Sequence, residues 1–379
     1  MSHIETTDKI RIMHITQSGG GVLRYIQMLL KYIDKSRFEN IVICSYASKR
    51  EDYGENIIYF DQVKMEREIS LSDLPAVIKV RKLIKKYAPD IVYAHSSKGG
   101  AIARIANIGL KNKCIYNPHG WSFNMQCSPI KRLLYKEIER IASHFCDKII
   151  CISEAEKQSA LENKICNENK LQVIWNGIDI EEYEKSPHGL LTRASLNIPE
   201  DAFVVGMVGR ICPQKAPDIF IRVASRIKAS IPNSYFIIVG NGEMEGEIRK
   251  YAQENHLTDS LLITGWVNNT MSYIELFDVA MLLSRWEGFG LVLPEYMLAG
   301  KPIVATKVDA IPCIIQDGKN GILIEKNNIG GASKAVIELY NKRDLVEKII
   351  NKEIKDVYTK FDIKRVVREH ENLLINTNI

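Results

Sequence analysis

No apolar run in this sequence of 379 residues approaches the ~20 residues that carry a helix across a bilayer. The N-terminal Met1-Ser2-His3-Ile4-Glu5 also lacks a basic segment leading into an apolar one. These two absences argue against a secreted or membrane-spanning chain, and a cytoplasmic protein is expected. The eight cysteines, at positions 44, 114, 127, 146, 151, 166, 212 and 313, form no Cys-x-x-Cys pair, and several sit inside apolar, strand-like runs. Reduced, mostly buried thiols are therefore expected. There is no Gly-x-Gly-x-x-Gly after the first strand-like run, no Asp-x-Asp, no His/Cys/carboxylate cluster with metal spacing, no internal repeat and no low-complexity tract. Dinucleotide binding is thus weakly supported, and no metal site is expected.

What is present is an ordinary globular composition, 46% hydrophobic and 26% charged, on a chain long enough for two domains at roughly 150 residues each. The net charge of +5 is unevenly placed: residues 1–180 carry 27 Lys and Arg against 20 Asp and Glu, and the remainder 24 against 26. Short β-rich apolar runs alternate with stretches of helical period, the pattern of βαβ units and parallel sheets. Strands are expected at 9–16, 40–45, 57–60, 90–96, 114–119, 148–153 and 171–175, with helices near 22–33, 72–87, 98–109, 129–145 and 154–163. A second series of strands is expected at 203–208, 235–239, 261–264, 279–283, 303–305 and 321–324. Polar and turn-forming residues between Asn176 and Glu200 interrupt the pattern. The expectation is α/β: two Rossmann-like doubly wound domains, 1–180 and 181–360, facing a central cleft, with a C-terminal amphipathic helix in 361–379 packing back towards the first domain.

Four segments fall just after strands, where such folds place their ligands. Gly19, Gly20 and Gly21 precede a helix, so the backbone approaches a ligand closely and unpaired N–H groups face an anion; a plain tight turn is the alternative. Gly209-Arg210 with Lys215 offers a forked and a point cation to one anion; solvated surface charge is the alternative. Glu287-Gly288-Phe289-Gly290-Leu291-Val292-Leu293-Pro294-Glu295 runs into a helix whose start Pro294 places near residues 291–293. The N–H groups of residues 288–291 there suit a phosphate, and the flanking carboxylates can accept from sugar hydroxyls. His119, in Asn117-Pro118-His119-Gly120, stands at a strand's carboxyl end and is a candidate site residue, a structural role being the alternative.

Together these segments resemble the retaining GT-B glycosyltransferases of family 4, which transfer a sugar from a nucleotide donor. The resemblance spans nearly the whole chain and is strongest at the Glu-x7-Glu motif of Glu287 and Glu295, followed by Met297 to Ala305. Gly209-Arg210 with Lys215, Val239-Gly240-Asn241-Gly242, Gly265-Trp266-Val267, Trp175 to Asp179 and the glycines 19–21 add to it. The resemblance implies that Arg210 and Lys215 neutralise the donor diphosphate and that the N–H groups of Phe289, Gly290 and Leu291 complete the cradle, with Gly288 and Val292 beside them. It implies that Glu295 holds the ribose, Glu287 contacts the transferred sugar, and His119 sits by that sugar. Gly19 to Gly21 would pass near the diphosphate or acceptor, Gly265, Trp266 and Val267 would line the base pocket, and Gly209, Gly240 and Asn241 would contact the donor. Ala216 replaces the glycine common after the lysine, and Trp121-Ser122-Phe123 after Gly120 has no assigned partner.

The resemblance implies front-face transfer with retention. Cations and a helix N-terminus, in place of a metal, would meet the charge on the departing nucleoside diphosphate, so no cofactor is expected. The expected partners are a nucleotide sugar, UDP-linked in preference to GDP-mannose, and a saccharide or polyprenyl-diphosphate acceptor in bacterial surface polysaccharide or glycolipid synthesis; no nucleic acid is expected. Alternatives are a sugar-nucleotide epimerase and a non-catalytic nucleotide-sugar binding protein; the missing Gly-x-Gly-x-x-Gly argues against a nicotinamide-dependent oxidoreductase. The basic excess of the first domain has candidate faces at Arg81, Lys82, Lys85 and Lys86 and at Arg132, Lys136 and Arg140. These would make peripheral contact with an anionic membrane at its inner face, or be ordinary solvated surfaces.

Overall fold

A computed structural model describes residues 9–17, 19–65 and 73–378. The first five residues and the helix start expected at Ser72 lie outside them. The chain divides into two compact units: one runs to Gly177 and resumes at Ile363, and the other is Ile178–Asp362.

Among the described residues, the first unit has seven strands: β1 (Ile10–Thr16), β2 (Phe38–Cys44), β3 (Tyr59–Gln62), β4 (Ile91–His95), β5 (Lys113–Asn117), β6 (Lys148–Cys151) and β7 (Leu171–Val173). Its helices are α1 (Gly20–Tyr32), α2 (Leu74–Tyr87), α3 (Ser97–Ala106), α4 (Pro129–Ala142) and α5 (Glu154–Glu162). The second unit follows with α6 (Ile180–Lys185), β8 (Phe203–Val208), α7 (Pro217–Ser230), β9 (Ser234–Val239), α8 (Glu245–Glu254), β10 (Leu261–Ile263), α9 (Met271–Ile274) and β11 (Val279–Leu282). It continues through α10 (Val292–Leu298), β12 (Ile303–Thr306), α11 (Ile311–Ile314), β13 (Ile322–Ile324), α12 (Ile329–Asn341) and α13 (Arg343–Lys360), before α14 (Ile363–Asn378) returns to the first unit.

The strand orders are β3-β2-β1-β4-β5-β6-β7 and β10-β9-β8-β11-β12-β13, all pairings within them parallel. The order in which strands are added therefore reverses once in each sheet, between β1 and β4 and between β8 and β11. Loops leaving neighbouring strands on opposite sides part there and leave a crevice at the carboxyl ends. Apolar strands buried on both faces are what a parallel sheet requires. On β1, Met13 and Ile15 pack with Val80, Leu83 and Ile84 of α2, while Ile12 packs with Ile26 and Leu29 of α1 and Val366 and Leu374 of α14.

Local rules explain several boundaries. The strand expected to reach His119 ends at Asn117, because Pro118 has no N–H to donate and His119 turns to φ 53°. Ser128 caps α4 by accepting from Lys131 N at 3.3 Å, with Pro129 at the first helical position. That helix ends at Ala142 and tightens into a 3₁₀ turn over Ser143–Phe145, which closes the stretch expected as one helix. All eight cysteines are free thiols, and burial raises the Cys114 and Cys151 thiols well above the usual range. Among the described residues no helix is long and apolar enough to cross a membrane.

Candidate functional site

In the second unit, the loops that follow β8 and β11 meet at the point where the sheet reverses. Lys215 comes from the first loop and Glu287 from the second, and Lys215 Nζ lies 2.5 Å from Glu287 Oε2. Ser284 Oγ donates to the same oxygen at 2.9 Å, and the Glu287 N–H donates to Asp309 Oδ2 at 2.8 Å. Glu287 is thereby fixed through one carboxylate oxygen and its backbone, which leaves Oε1 as its acceptor. Burial raises the Asp309 carboxyl above its ordinary value, and the backbone N–H of Glu287 opposes that shift.

Arg210 is exposed and does not share a partner with Lys215; its Nη2 donates to Gln214 Oε1 at 3.2 Å. The two cations expected to converge are thus held differently, one by a carboxylate and one by a neutral amide. Gln214 also bridges the two loops, donating to Trp286 O at 3.2 Å and accepting from Arg285 N at 2.8 Å.

Gly240 sits at φ 139°, and a Cβ on it would fall 2.1 Å from Gly209 O. A Cβ on Gly242 would fall 2.4 Å from Ile211 O. The Ile211 N–H donates to Asn241 O at 2.8 Å and the Met244 N–H to Ile211 O at 3.0 Å, so the loops after β8 and β9 are zipped backbone to backbone. The glycines of Val239 to Gly242 are required by this packing, and Asn241 is exposed beside it. Gly265 bridges Gly240, and the next residue, Trp266, is 71% exposed; Val267 follows, part-buried.

In the Glu-x7-Glu segment, Gly288 is part-buried, Phe289 is buried against the Phe361 ring at 6.0 Å, and Gly290 adopts φ 84°. Leu291 is the N-cap of α10, Val292 its first residue, Pro294 lies in its first turn, and Glu295 is part-buried in that same turn. The helix start expected at 291–293 is where the chain makes it.

At the carboxyl edge of the first sheet, Gly19 (φ 138°) and Gly20 (φ 54°) have nothing within 4 Å of a built Cβ, and Gly19, Gly20 and Gly21 are exposed at the start of α1. His119, after β5, is part-buried, its ring centroid 4.7 Å from that of Tyr25 with the two rings steeply inclined. Its N–H donates to Asn117 Oδ1 at 3.0 Å, and the next N–H, of Gly120, donates to Glu156 Oε1 at 2.7 Å. Burial pushes the Glu156 carboxyl up to about 7 although the Ile152 and Gly120 N–H groups oppose it. Trp121 and Phe123, unassigned from sequence, stack at 5.4 Å in the core, with the indole N–H donating to Glu156 O.

Sequence reasoning missed what lies behind His119. His95 Nδ1 is 3.1 Å from His119 Nε2, His14 Nδ1 is 3.1 Å from His95 Nε2, and His14 Nε2 is 3.1 Å from Asn40 Oδ1. Burial lowers His14 to about 4 and His119 to about 3, and takes His95 well below the ordinary value. His370 of α14 is lowered to about 4, likewise by burial, and pairs with the Tyr25 hydroxyl at 2.5 Å. The one readable signal was a histidine interrupting each of two apolar strands.

Of the candidate basic faces, Lys82, Lys85, Lys86 and Arg132 are exposed, and other members have partners within the chain. Arg81 is drawn to the Ala106 and Ile108 carbonyls, Lys86 to the Tyr87 hydroxyl, and Arg140 to Glu137 and the Asn163 and Lys164 carbonyls. On α4 it is the apolar residues that face outward: Ile130 is 82% exposed, Leu133 60%, Leu134 54% and Ile141 61%, while Glu139 and Ala142 are buried. Arg104, buried beneath the helix, turns it this way by pairing with Glu139 at 2.8 Å.

Family models match both units: "Glycosyltransferase Family 4" over residues 19–182 and "Glycosyl transferases group 1" over 191–356. The chain is 30% identical to an Escherichia coli UDP-Gal:alpha-D-GlcNAc-diphosphoundecaprenol alpha-1,3-galactosyltransferase, over 98% of each chain. It is 25% identical to the Staphylococcus aureus capsular polysaccharide biosynthesis glycosyltransferase CapM, over 91% of each. In fold it is similar to Anabaena HepE, solved in complex with UDP and glucose, at a TM-score of 0.81 and 21% identity over 96% of this chain and 99% of that one.

Proposed function

The chain belongs to glycosyltransferase family 4 and has the GT-B fold, and on that premise we propose that it transfers a hexose or N-acetylhexosamine from a UDP-sugar to a polyprenyl-diphosphate-linked saccharide, with retention and without a metal, in bacterial surface polysaccharide synthesis. The observation that carries this reading is the relative that uses UDP-Gal and a diphosphoundecaprenol acceptor, alike to this chain from end to end. The bound UDP of HepE supports the choice of nucleotide.

Departure of a nucleoside diphosphate builds negative charge that fixed cations stabilise most when they are already in place. Arg210, free of any carboxylate among the described contacts, turns its guanidinium to the diphosphate; Lys215, held by Glu287, is a pre-set point charge beside it. Glu287 Oε1 accepts from a hydroxyl of the transferred sugar, Glu295 holds the ribose, and the N–H groups of Phe289, Gly290 and Leu291 complete the cradle. A retaining double displacement needs a carboxylate nucleophile at the anomeric carbon. Glu287 is a poor candidate because Lys215 and Ser284 already draw on its carboxylate, which favours front-face transfer with the leaving phosphate taking the acceptor's proton.

A membrane contact belongs to the same proposal. The outward apolar face of α4, flanked by exposed Lys131 and Arg132, matches an anionic bilayer that presents a lipid-linked acceptor. The test is a thermal-shift screen of UDP, GDP and ADP, followed by assay of UDP-sugars with a polyprenyl-diphosphate saccharide, with and without chelator. Stabilisation by UDP and an α-linked product insensitive to chelator are expected. An inverted product, or turnover without acceptor as in an epimerase, overturns the reading.

A further inference from the structure

His14, His95 and His119 are joined in series, and the series has a direction. His14, on β1, and His95, on β4, are fully buried, whereas His119 stands at the carboxyl edge. At the inner end His14 Nε2 meets Asn40 Oδ1 at 3.1 Å. An amide oxygen only accepts, so His14 Nε2 carries the hydrogen. A neutral imidazole has one N–H and one lone pair, which leaves His14 Nδ1 as an acceptor for His95 Nε2–H at 3.1 Å. The same step repeats: His95 Nδ1 accepts from His119 Nε2–H at 3.1 Å. Removal from water keeps all three rings uncharged, as the lowered values of each agree. Each ring thus passes its polarity to the next, and the outermost nitrogen, His119 Nδ1, ends as a lone pair.

We propose that Asn40, His14 and His95 are positioning residues that lock His119 as the Nε2–H tautomer, so that its Nδ1 accepts a hydrogen bond from a hydroxyl of the transferred sugar. The functional half of this rests on the reading of His119 as a donor-sugar residue; the tautomer does not. Two further observations point to a polar ligand at this edge. The buried hydroxyls of Thr16, ending β1, and Ser96, following β4, have no hydrogen-bond partner among the described residues. His119 is also held against rotation: the Tyr25 ring packs on it at a steep angle, and the Tyr25 hydroxyl is itself bound to Tyr93 at 3.0 Å and to His370. His370 belongs to this second branch and makes no hydrogen bond to the three-ring series among the described residues.

A fixed tautomer matters because an unlocked imidazole must select the accepting form each time a hydroxyl arrives, which weakens the bond it makes. The series also explains why strands otherwise apolar carry two fully buried histidines.

The direct test reads the tautomers in the native chain. In the full chain labelled with ¹⁵N-histidine, long-range ¹H–¹⁵N correlation at pH 7 reports the tautomer of each ring, with His119 assigned by the signals lost in His119→Gln. Neutral Nε2–H forms at His14, His95 and His119 are expected. An Nδ1–H or charged His119 overturns the proposal. Kinetics then separate the two halves. His95→Leu breaks the series and is expected to raise the donor KM about tenfold, the scale of one hydrogen bond, with little change in acceptor KM. His95→Gln, whose amide accepts on one atom and donates on the other, is expected to restore most of it. Equal damage by Leu and Gln, or none by Leu, overturns the positioning role. Should His119→Ala leave donor KM and kcat unchanged while the tautomer is as stated, the placement of His119 by the sugar fails and the locked series stands.

Discussion

Lys215 Nζ and Glu287 Oε2, 72 residues apart in sequence, lie 2.5 Å apart in the crevice between β8 and β11. The side chains keep only 15% and 8% of their exposure, so each charge depends on the other.

Lys215→Ala is expected to cost stability as well as turnover. Among the described residues it leaves Glu287 with Ser284 as its one side-chain donor, and stranding one partner of a buried pair costs about 3–5 kcal/mol. Lys215→Ala/Glu287→Gln should recover much of that stability while kcat stays down by ~100-fold or more. Urea unfolding of the two singles and the double measures this; strictly additive losses would show the pair to be uncoupled.

Arg210→Ala separates the two quantities. Its only described side-chain bond is to Gln214, so stability should change by less than about 0.5 kcal/mol. Turnover should fall by ~100-fold, because the partner of Arg210 gains charge as the glycosidic bond breaks. Steady-state kinetics with a UDP-sugar decide the matter, and near-normal kcat sinks the diphosphate assignment.

Gly240→Ala should abolish stabilisation by UDP and cost more than about 2 kcal/mol, since the new methyl would overlap Gly209 O at 2.1 Å. Gly20→Ala meets open space and bears only the left-handed backbone penalty of about 1 kcal/mol. Thermal shifts with and without UDP on both variants make the comparison.

Acid should destabilise the first unit. Burial lowers fully buried His14 and His370 to about 4 and His95 well below 6.5. Below pH 6.5 the unfolded chain therefore binds protons that the folded chain refuses, and stability falls as pH drops from 6.5 towards 4. Each ring contributes up to about 1.4 kcal/mol per pH unit. Glu156, raised to about 7, acts oppositely: the folded state holds its proton more tightly, so its contribution declines as pH rises from about 4.5 to 7. With His119, lowered to about 3, four histidines outweigh Glu156 in this unit. Melting temperature should fall between pH 6.5 and 4.5, with a shallower slope in His370→Gln; a level profile in the native chain contradicts the buried-histidine account.

Replacing Ile130, Leu133 and Leu134 together by Ser should weaken binding to anionic phospholipid vesicles by more than about tenfold without altering turnover on a water-soluble acceptor. Each side chain carries about 1.5–3 kcal/mol of apolar transfer. Lys131→Ala should weaken binding less, by the ~1 kcal/mol of one basic residue near the surface. Sedimentation with vesicles at low and high salt tests this, and unchanged binding by the triple variant removes α4 from the contact.

Much of this protein is legible in its residues. The thirteen strands of the described residues lie within a few residues of apolar runs visible in the sequence, because the inner strands of a parallel sheet are covered on both faces; the edge strand β3 is not buried. Pro294 fixed the start of α10, since proline has no N–H to give a preceding turn. Charge in a sequence carries no direction: Arg81 and Arg140 turn their guanidinium groups to carbonyls of neighbouring segments, while Lys82, Lys85 and Arg132 stay exposed. The zipped glycines 240 and 242 were readable as a motif, but their packing reason was not.

The sequence by itself determined the alternation of strands and helices, the class of fold, the family, and which residue types stand after which strands, since these follow from local periodicity and from motifs contiguous in the chain. Tertiary structure alone decided which of those residues meet. Placing β8 beside β11 brought Lys215 to Glu287 and left Arg210 with a neutral partner; placing β4 between β1 and β5 lined up His14, His95 and His119; and pairing Arg104 with Glu139 turned the apolar side of α4 outward. Strand order and helix rotation are set by contacts between segments far apart in the chain, and no local pattern encodes them.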